Sequence, residues 1–189
     1  MNTMIKIGIM VPAVIVLVFA CLQIFGKKSS NQIGTSQTNI ISTMNLTSSA
    51  FANNGNLPSK YTCDGQKINP ELLIGETPQE AESLVLIVDD PDAPAGIFTH
   101  WTVWNIDPSV KSIEENSVPA GAIQGMATSN EVGYVPPCPP GGTHRYRFKL
   151  YVLDTMLDLQ GGASVSELSA AMSGHVVDLA ELISFYQRR

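Results

Sequence analysis

Three polar side chains of the chain stand where strand-like segments meet loops, and their types suit anion binding or proton transfer. Asp90 closes the apolar run SLVLIVDD, His100 lies near the start of THWTVWNID, and His144 opens HRYRFKLYVLD. Imidazole N–H groups donate to oxyanions, and more strongly when the ring is protonated. A carboxylate and two imidazoles also suit a metal triad or an acid–base set. These residues therefore predict a small anion pocket or, as the alternative, the centre of a metal- or acid/base-dependent hydrolase.

Each of these three side chains is predicted to end a row that faces the core. Side chains of a strand alternate between its two faces, so residues two apart share a face. The rows run from His144 through Tyr146, Phe148, Leu150 and Val152, from His100 through Thr102, Trp104 and Ile106, and from Leu84 through Leu86 and Val88 to Asp90. A polar group at the end of such a row is expected to line the mouth of a pocket.

Rigid loops flank the same positions. DDPDAP spans residues 89–94, and PPCPPGG spans residues 136–142 directly before Thr143 and His144. Each proline fixes its own φ and restricts the residue before it, so a pocket between these loops would be preformed. Taken singly, a His or Asp beside a strand end is more often a structural residue or a turn cap, and we assign His175 only a structural role.

The composition narrows the possible function classes. The chain has 189 residues, 44% of them hydrophobic, and 17 acidic against 11 basic residues give a net charge of −6. A nucleic-acid groove needs a basic stripe, which this chain lacks, so nucleic acid is excluded as a partner. The sequence contains neither HExxH nor GxSxG, and it predicts no cofactor, no metal ligand and no catalytic residue.

The segments that must position these residues have the sequence pattern of a mainly β domain. Short strand-like runs separated by Gly, Pro, Asn and Asp fill the chain from residue 40 to about 155, which favours a β-sandwich. The C-terminal segment predicts helix instead, because Ser164 and Glu167 form a capping-box pattern. Its apolar residues also recur at helical spacing, at Leu168, Met172, Leu179, Leu182 and Tyr186, with a break or kink expected at Gly174. A helical hairpin remains possible there.

The N-terminal part of the chain is expected to lie apart from this domain. Residues 7–26 are uncharged and mostly apolar, long enough for a membrane-spanning helix of about 20 residues. Residues 1–26 are thus a membrane anchor or signal segment, residues 27–39 a flexible polar linker, and residues 40–189 the folded domain. We expect a single anchor in the cell membrane with the domain outside the cytoplasm; a cleaved signal or a lipoprotein modified at Cys21 are the alternatives.

Two motifs in order resemble a known family. DPDAP followed by FTHW, and CPPGGTHRY followed by RFKLYVLD, are similar to the phosphatidylethanolamine-binding protein family, in its bacterial and archaeal branch related to Raf kinase inhibitor proteins. The resemblance extends over residues 41–189 and includes YTCDG at 61–65 and the ending AMSGHVVDLAELISFYQRR.

This resemblance implies a Greek-key β-sandwich with a small anion-binding pocket at one end. The implied pocket residues are Asp90, Pro94, His100, Pro139, Pro140, His144 and Tyr146. Asp92 would support its loop through a turn contact, and Arg145 would pair structurally. The implied function is non-enzymatic binding of a small anionic ligand or phospholipid head group, with a kinase- or protease-inhibitor-like role possible and the protein target unknown.

The cysteines predict one disulfide. Cys63 and Cys138 both lie in loops beside the expected pocket, and disulfides persist in exported domains. We expect these two to pair and Cys21 to stay unpaired; the alternative is two separate buried thiols.

Overall fold

The computed structural model describes residues 44–188, which form two β-sheets and one short α-helix. The smaller sheet has three strands in the order β1-β3-β6: β1 Leu46–Thr47, β3 Leu72–Ile74 and β6 Ser112–Ile113. The larger sheet has six strands in the order β2-β9-β8-β4-β5-β7. They are β2 Gly55–Asn56, β4 Ser83–Asp90, β5 Phe98–Ile106, β7 Ile123–Gln124, β8 Thr143–Leu153 and β9 Val176–Gln187. The prediction of a mainly β, two-sheet domain is confirmed.

Two apolar clusters hold the larger sheet from its two faces. The main cluster joins residues of both sheets, for example Leu72 and Ile113 with Leu86 and Phe148, and so forms the interior of the sandwich. The second cluster joins the opposite face of the larger sheet to the helix α1, Val165–Met172.

Strand β4 shows why its sequence is continuously apolar. Leu84, Leu86 and Val88 belong to the main cluster, whereas Val85 and Ile87 belong to the second. All eight residues of β4 are buried, because neighbouring strands flank it and a cluster covers each face. The expectation of a strand buried on both faces is confirmed.

The C-terminal prediction was right for one helix and wrong beyond it. Ser164 caps α1 through the Glu167 amide, and the Glu167 carboxylate accepts from the Ser164 amide, as the capping-box pattern predicted. After α1 the chain turns at Gly174, whose φ is +86°, and residues 176–187 form strand β9 instead of a helix. Pairing with β8 along its whole length, together with the β-branched residues in VVDLAELISFYQ, outweighs the helical spacing.

The burial pattern of β9 has period two. Ala180, Leu182 and Ser184 are buried, whereas Leu179, which the helical pattern had placed in the apolar row, is 45% exposed. His175 lies in the turn before β9, not in a helix, and its ring donates from Nδ1 to Asp154 at 2.8 Å.

The proposed anchor at residues 7–26 and the linker at 27–39 lie outside the described residues. Within residues 44–188, no helix has the length and apolar character needed to cross a membrane.

Candidate functional site

Strand order brings the predicted polar residues to one end of the larger sheet. β4 lies between β5 and β8 and is antiparallel to both. The C-terminal end of β4, which carries Asp90, therefore lies beside the N-terminal parts of β5 and β8, which carry His100 and His144. Polar residues 90, 100 and 144 converge because three neighbouring strands begin or end there.

Asp90 and His144 form a buried pair at the centre of this site. The His144 ring donates from Nδ1 to Asp90 Oδ2 at 2.7 Å, with only 8% and 5% of the two side chains exposed. The other carboxylate oxygen of Asp90 accepts from the backbone N–H of Asp92 at 2.8 Å. Because Asp90 holds Nδ1, the second ring nitrogen of His144, Nε2, is the one left for a ligand.

A bulge in β5 brings His100 to the same place. Val88 pairs with Trp101 and Asp89 pairs with Thr99, so His100 is an extra residue on its strand. A bulge of this kind bends the strand and re-aims a side chain. The His100 ring consequently lies edge-on to the Tyr146 ring, with their centroids 5.4 Å apart.

The predicted phase of β5 was wrong because of such irregularities. Trp104 packs in the second cluster, beneath α1, whereas Ile106 packs in the main cluster. Between them Asn105 has φ +56°, and the register with β4 shifts again at this point. The row through His100, Trp104 and Ile106 is thus broken, and His100 reaches the site through the bulge instead of through simple alternation.

His100 is held as a neutral ring. Its Nδ1 donates to the carbonyl oxygen of Val135 at 2.8 Å, and the Val135 amide donates to the His100 carbonyl, also at 2.8 Å. Burial lowers the pKa of His100 below its usual 6.5, although the Val135 bond and the charge of Asp90 act in the opposite direction. Nδ1 is occupied, so Nε2 is again the nitrogen that can meet a ligand.

Tyr146 supplies a buried hydroxyl with no partner. Its side chain is fully buried, and its hydroxyl oxygen makes no hydrogen bond to any described residue. Burial and the nearby charge of Asp90 raise the pKa of Tyr146, so the hydroxyl keeps its proton and can donate it. Buried hydroxyls are nearly always satisfied, so an orphan beside two imidazoles indicates a group that a ligand or water completes.

The loops that carry these residues are tied together. Asp92 accepts from the backbone N–H of Arg145 and from its Nη2, both at 2.9 Å, which agrees with the supporting role predicted for Asp92 and the structural pairing predicted for Arg145. Pro139 is buried, whereas Pro94 and Pro140 are exposed. Contact of these three prolines with a ligand stays a prediction.

The predicted disulfide is present. Cys63 and Cys138 are bonded with their Cα atoms 5.3 Å apart. Beside it the Cys63 amide donates to the Pro137 carbonyl at 3.0 Å, and the Tyr134 hydroxyl donates to the Tyr61 carbonyl at 2.8 Å. The loop after the 3-10 turn Ser59–Tyr61 is thereby fixed against the proline-rich loop that leads to His144.

Sequence reasoning missed the contribution of β9. Tyr186 pairs directly with His144 across β8 and β9, and its hydroxyl donates to Asp64 Oδ2 at 2.7 Å. The alternation of Ala180, Leu182 and Ser184 could have revealed the strand, but the helical spacing concealed it.

Together the site offers two imidazoles and one phenol beside one carboxylate. The Tyr146 hydroxyl can donate to an oxyanion, Nε2 of His144 can donate when that ring carries both protons, and Nε2 of the neutral His100 ring can accept from a protonated oxygen of the ligand. Among residues 44–188, no three His, Cys, Asp or Glu side chains are grouped in a way that could hold a metal ion.

Comparison with known proteins places the chain among similar sequences. Residues 47–187 match the family model described as phosphatidylethanolamine-binding protein. A UPF0098 protein from Methanothermobacter thermautotrophicus is 50% identical over 150 residues, which are 77% of this chain and 99% of the relative. A UPF0098 protein from Chlamydia trachomatis is 43% identical, with the same shares of the two chains covered.

Two crystal structures are similar in fold. A phosphatidylethanolamine-binding protein homologue from Chlamydia trachomatis matches with a TM-score of 0.75 and 43% identity, covering 77% of this chain and 98% of the other. YbcL from Escherichia coli, described as a member of the mammalian PEBP family, matches with a TM-score of 0.73 and 26% identity, covering 78% and 99%.

Proposed function

Because the chain belongs to the phosphatidylethanolamine-binding protein family, we propose that it is a binding protein for phosphate-like head groups. The proposed pocket is formed by Asp90, His100, His144 and Tyr146, and its ligand is a small anion such as the phosphate of a phospholipid or related ester. Binding, and not turnover, is the proposed activity.

The observation that carries this proposal is the orphan hydroxyl of Tyr146. It lies in a fully buried position beside two imidazole rings whose Nδ1 atoms are already occupied. The Tyr146 hydroxyl, together with Nε2 of His144 when that ring carries both protons, can donate to a phosphate oxygen, and Nε2 of the neutral His100 ring can accept from a protonated one. Each such bond to a charged group contributes about 1.5 to 3 kcal/mol, so a phosphate satisfies the pocket better than a neutral ligand does.

Asp90 determines which group of the pocket the anion contacts. A bare carboxylate would repel phosphate, but Asp90 already accepts from His144 and from the Asp92 amide. The contact with Asp90 leaves Nε2 of His144 for the phosphate, so the anion meets an imidazole nitrogen instead of the bare carboxylate.

Isothermal titration calorimetry of the purified full-length protein with inorganic phosphate tests the proposal. We expect His144→Ala to weaken binding by about 1 to 3 kcal/mol, because it removes a hydrogen bond to a charged group. His175→Ala is the matched control, since His175 also pairs with an aspartate at 2.8 Å but is half exposed and remote from Asp90. Equal phosphate affinity in His144→Ala and the parent, with unchanged thermal unfolding, would contradict the proposal.

The His144→Ala variant also separates binding from catalysis. An Asp–His pair is also the arrangement of an acid–base catalyst, which is the alternative that the sequence left open. Incubation with p-nitrophenyl phosphate is expected to release no nitrophenolate above the level of the His144→Ala variant. Release that depends on His144 would favour the hydrolase instead.

We further propose that residues 7–26 hold the domain at the cell membrane. The support is their apolar composition and length. A head-group pocket on a domain tethered in this way would work within reach of its lipid ligands.

A further inference from the structure

A polar groove opens beside the proposed anion pocket and has a different chemistry. Its volume is about 1000 Å³, and its lining includes Asp64, Thr143, Tyr186, Gln187 and Arg188. Tyr186 connects the two sites, because it pairs directly with His144 across β8 and β9. Directly opposed side chains on neighbouring strands have Cβ atoms only about 5 Å apart.

The groove contains one ion pair, in which both charges are already balanced. Asp64 Oδ1 lies 3.3 Å from both Nε and Nη2 of Arg188, and Asp64 Oδ2 accepts from the Tyr186 hydroxyl at 2.7 Å. The Asp64 and Arg188 side chains are 33% and 50% exposed, so both reach the open groove. A guanidinium has more N–H donors, and a carboxylate more lone pairs, than these contacts use.

Its other polar side chains are uncharged. Asn56, Ser59, Thr143 and Gln187 each offer donors and acceptors, and the Thr143 hydroxyl donates to Gln187 Oε1 at 3.0 Å. The Tyr186 and Phe185 rings add apolar surface. Asp64 is fixed in position by the neighbouring Cys63–Cys138 bond, so this wall of the groove is preformed.

The Asp64–Arg188 ion pair and the uncharged side chains around it favour some chemical groups of a ligand over others. An ammonium group would compete with Arg188 for Asp64, and a second phosphate would compete with Asp64 for Arg188, so each would have to break the existing pair. A hydroxyl can donate to Asp64 and accept from Arg188 while that pair stays intact. A chain of hydroxyls suits the groove better than either charged group.

We propose that the groove binds the hydroxyl-bearing arm of a polyol phosphate, such as a glycerol or sugar phosphate, whose phosphate occupies the pocket of Asp90, His100, His144 and Tyr146. The inference rests on the proposed function for the phosphate end alone. Its new element is the ligand class, together with Asp64 and Arg188 as the residues that select it.

Calorimetric titration of the full-length protein with four probes tests it: inorganic phosphate, propyl phosphate, glycerol 1-phosphate and O-phosphoethanolamine. We expect glycerol 1-phosphate to bind about tenfold more tightly than propyl phosphate, the scale of one or two added hydrogen bonds. O-phosphoethanolamine should bind no more tightly than propyl phosphate. Glycerol 1-phosphate affinity equal to that of propyl phosphate, or a clear preference for the ammonium compound, would overturn the assignment.

Variants locate the effect. Arg188→Met should reduce the advantage of glycerol 1-phosphate over propyl phosphate to less than about threefold, and inorganic phosphate affinity should stay unchanged. Lys111→Met is the matched control, because Lys111 is another exposed cation and lies 3.8 Å from Glu76, outside the groove. An advantage that survives Arg188→Met would remove Arg188 from the site and overturn its selecting role.

The proposed function can fail separately from this inference. If inorganic phosphate does not bind, the anion pocket is contradicted. The proposed binding of a polyol in the groove is then contradicted as well, because it depends on that pocket. Phosphate binding without discrimination between the two alkyl esters would contradict the groove alone.

Discussion

Removal of the Cys63–Cys138 bond should destabilise the domain through its unfolded state. The double variant Cys63→Ser, Cys138→Ser opens a loop whose ends are 75 residues apart in sequence. In the loop-entropy model a cross-link of this span removes freedom from the unfolded chain that corresponds to about 4.5 kcal/mol at 25 °C. The backbone bond from Cys63 to Pro137 can persist in the folded variant, so little of this loss is recovered by rearrangement.

Urea denaturation followed by tryptophan fluorescence measures the effect. The free energy of unfolding should fall by roughly 3 to 5 kcal/mol, and the midpoint of thermal unfolding by about 10 to 20 °C for a domain of this size. Trp101 and Trp104 are both buried, so unfolding changes their surroundings. Cys21→Ser is the control, because Cys21 takes no part in this bond and its replacement leaves the loop closed.

A loss below about 1 kcal/mol in the double variant would refute the loop-entropy reasoning. It would mean that the contacts from Tyr134 to Tyr61 and from Cys63 to Pro137 already restrict the unfolded chain, or that the bond is strained. Addition of dithiothreitol to the parent should reproduce the double variant.

Three further outcomes are expected. Tyr146→Phe should leave the free energy of unfolding unchanged or slightly raise it, because the lost hydroxyl has no partner, and should weaken phosphate binding by about 1 kcal/mol in calorimetry. Burial lowers the pKa of His100, so below about pH 6.5 the unfolded state binds a proton at this residue that the folded state does not bind. The free energy of unfolding of the parent, relative to that of His100→Gln, should therefore fall as the pH drops below about 6.5, as urea titrations would measure. Full-length protein should stay in the membrane fraction after a high-salt wash, because apolar burial is not screened by salt; release of a lipid-free chain that begins near residue 21 or later would show a cleaved signal.

Strands whose side chains alternate regularly were predictable from the sequence. In β8 the row from His144 and Tyr146 to Phe148 is buried as the alternation requires, because β8 pairs with β9 without a shift along that stretch. In β5 the same reasoning failed, since each of the two register shifts reverses the faces of the residues that follow. His100 was nevertheless predicted at the correct end of the sheet. The order of the strands decides which end a residue occupies, whereas the alternation of side chains decides only which face it occupies.

Strand β9 and the groove beside it were not predictable in the same way. Leu168, Met172, Leu179, Leu182 and Tyr186 fit a helix in sequence, and the apolar spacing alone cannot separate a helix from a strand whose partner is already in place. The decisive interaction is the pairing with β8, which lies more than 20 residues earlier in the chain. Asp64 and Arg188 meet only because this pairing forms, so the groove has no local signature.

The buried hydroxyls of Tyr146 and Ser184 are costly for the packing of the sheet. Tyr146 lies between the buried residues His144 and Phe148 in a row that becomes purely apolar further along β8. The side chain directly opposite it on β9 is Ser184, whose Oγ is also buried and also without a partner among the described residues. Each unsatisfied buried donor costs about 1 to 3 kcal/mol, whereas phenylalanine and alanine at these two positions would fill similar space without that cost. Packing alone therefore favours the apolar pair, and an anion or water that accepts from the Tyr146 hydroxyl would remove the cost at that position, as the proposed pocket requires.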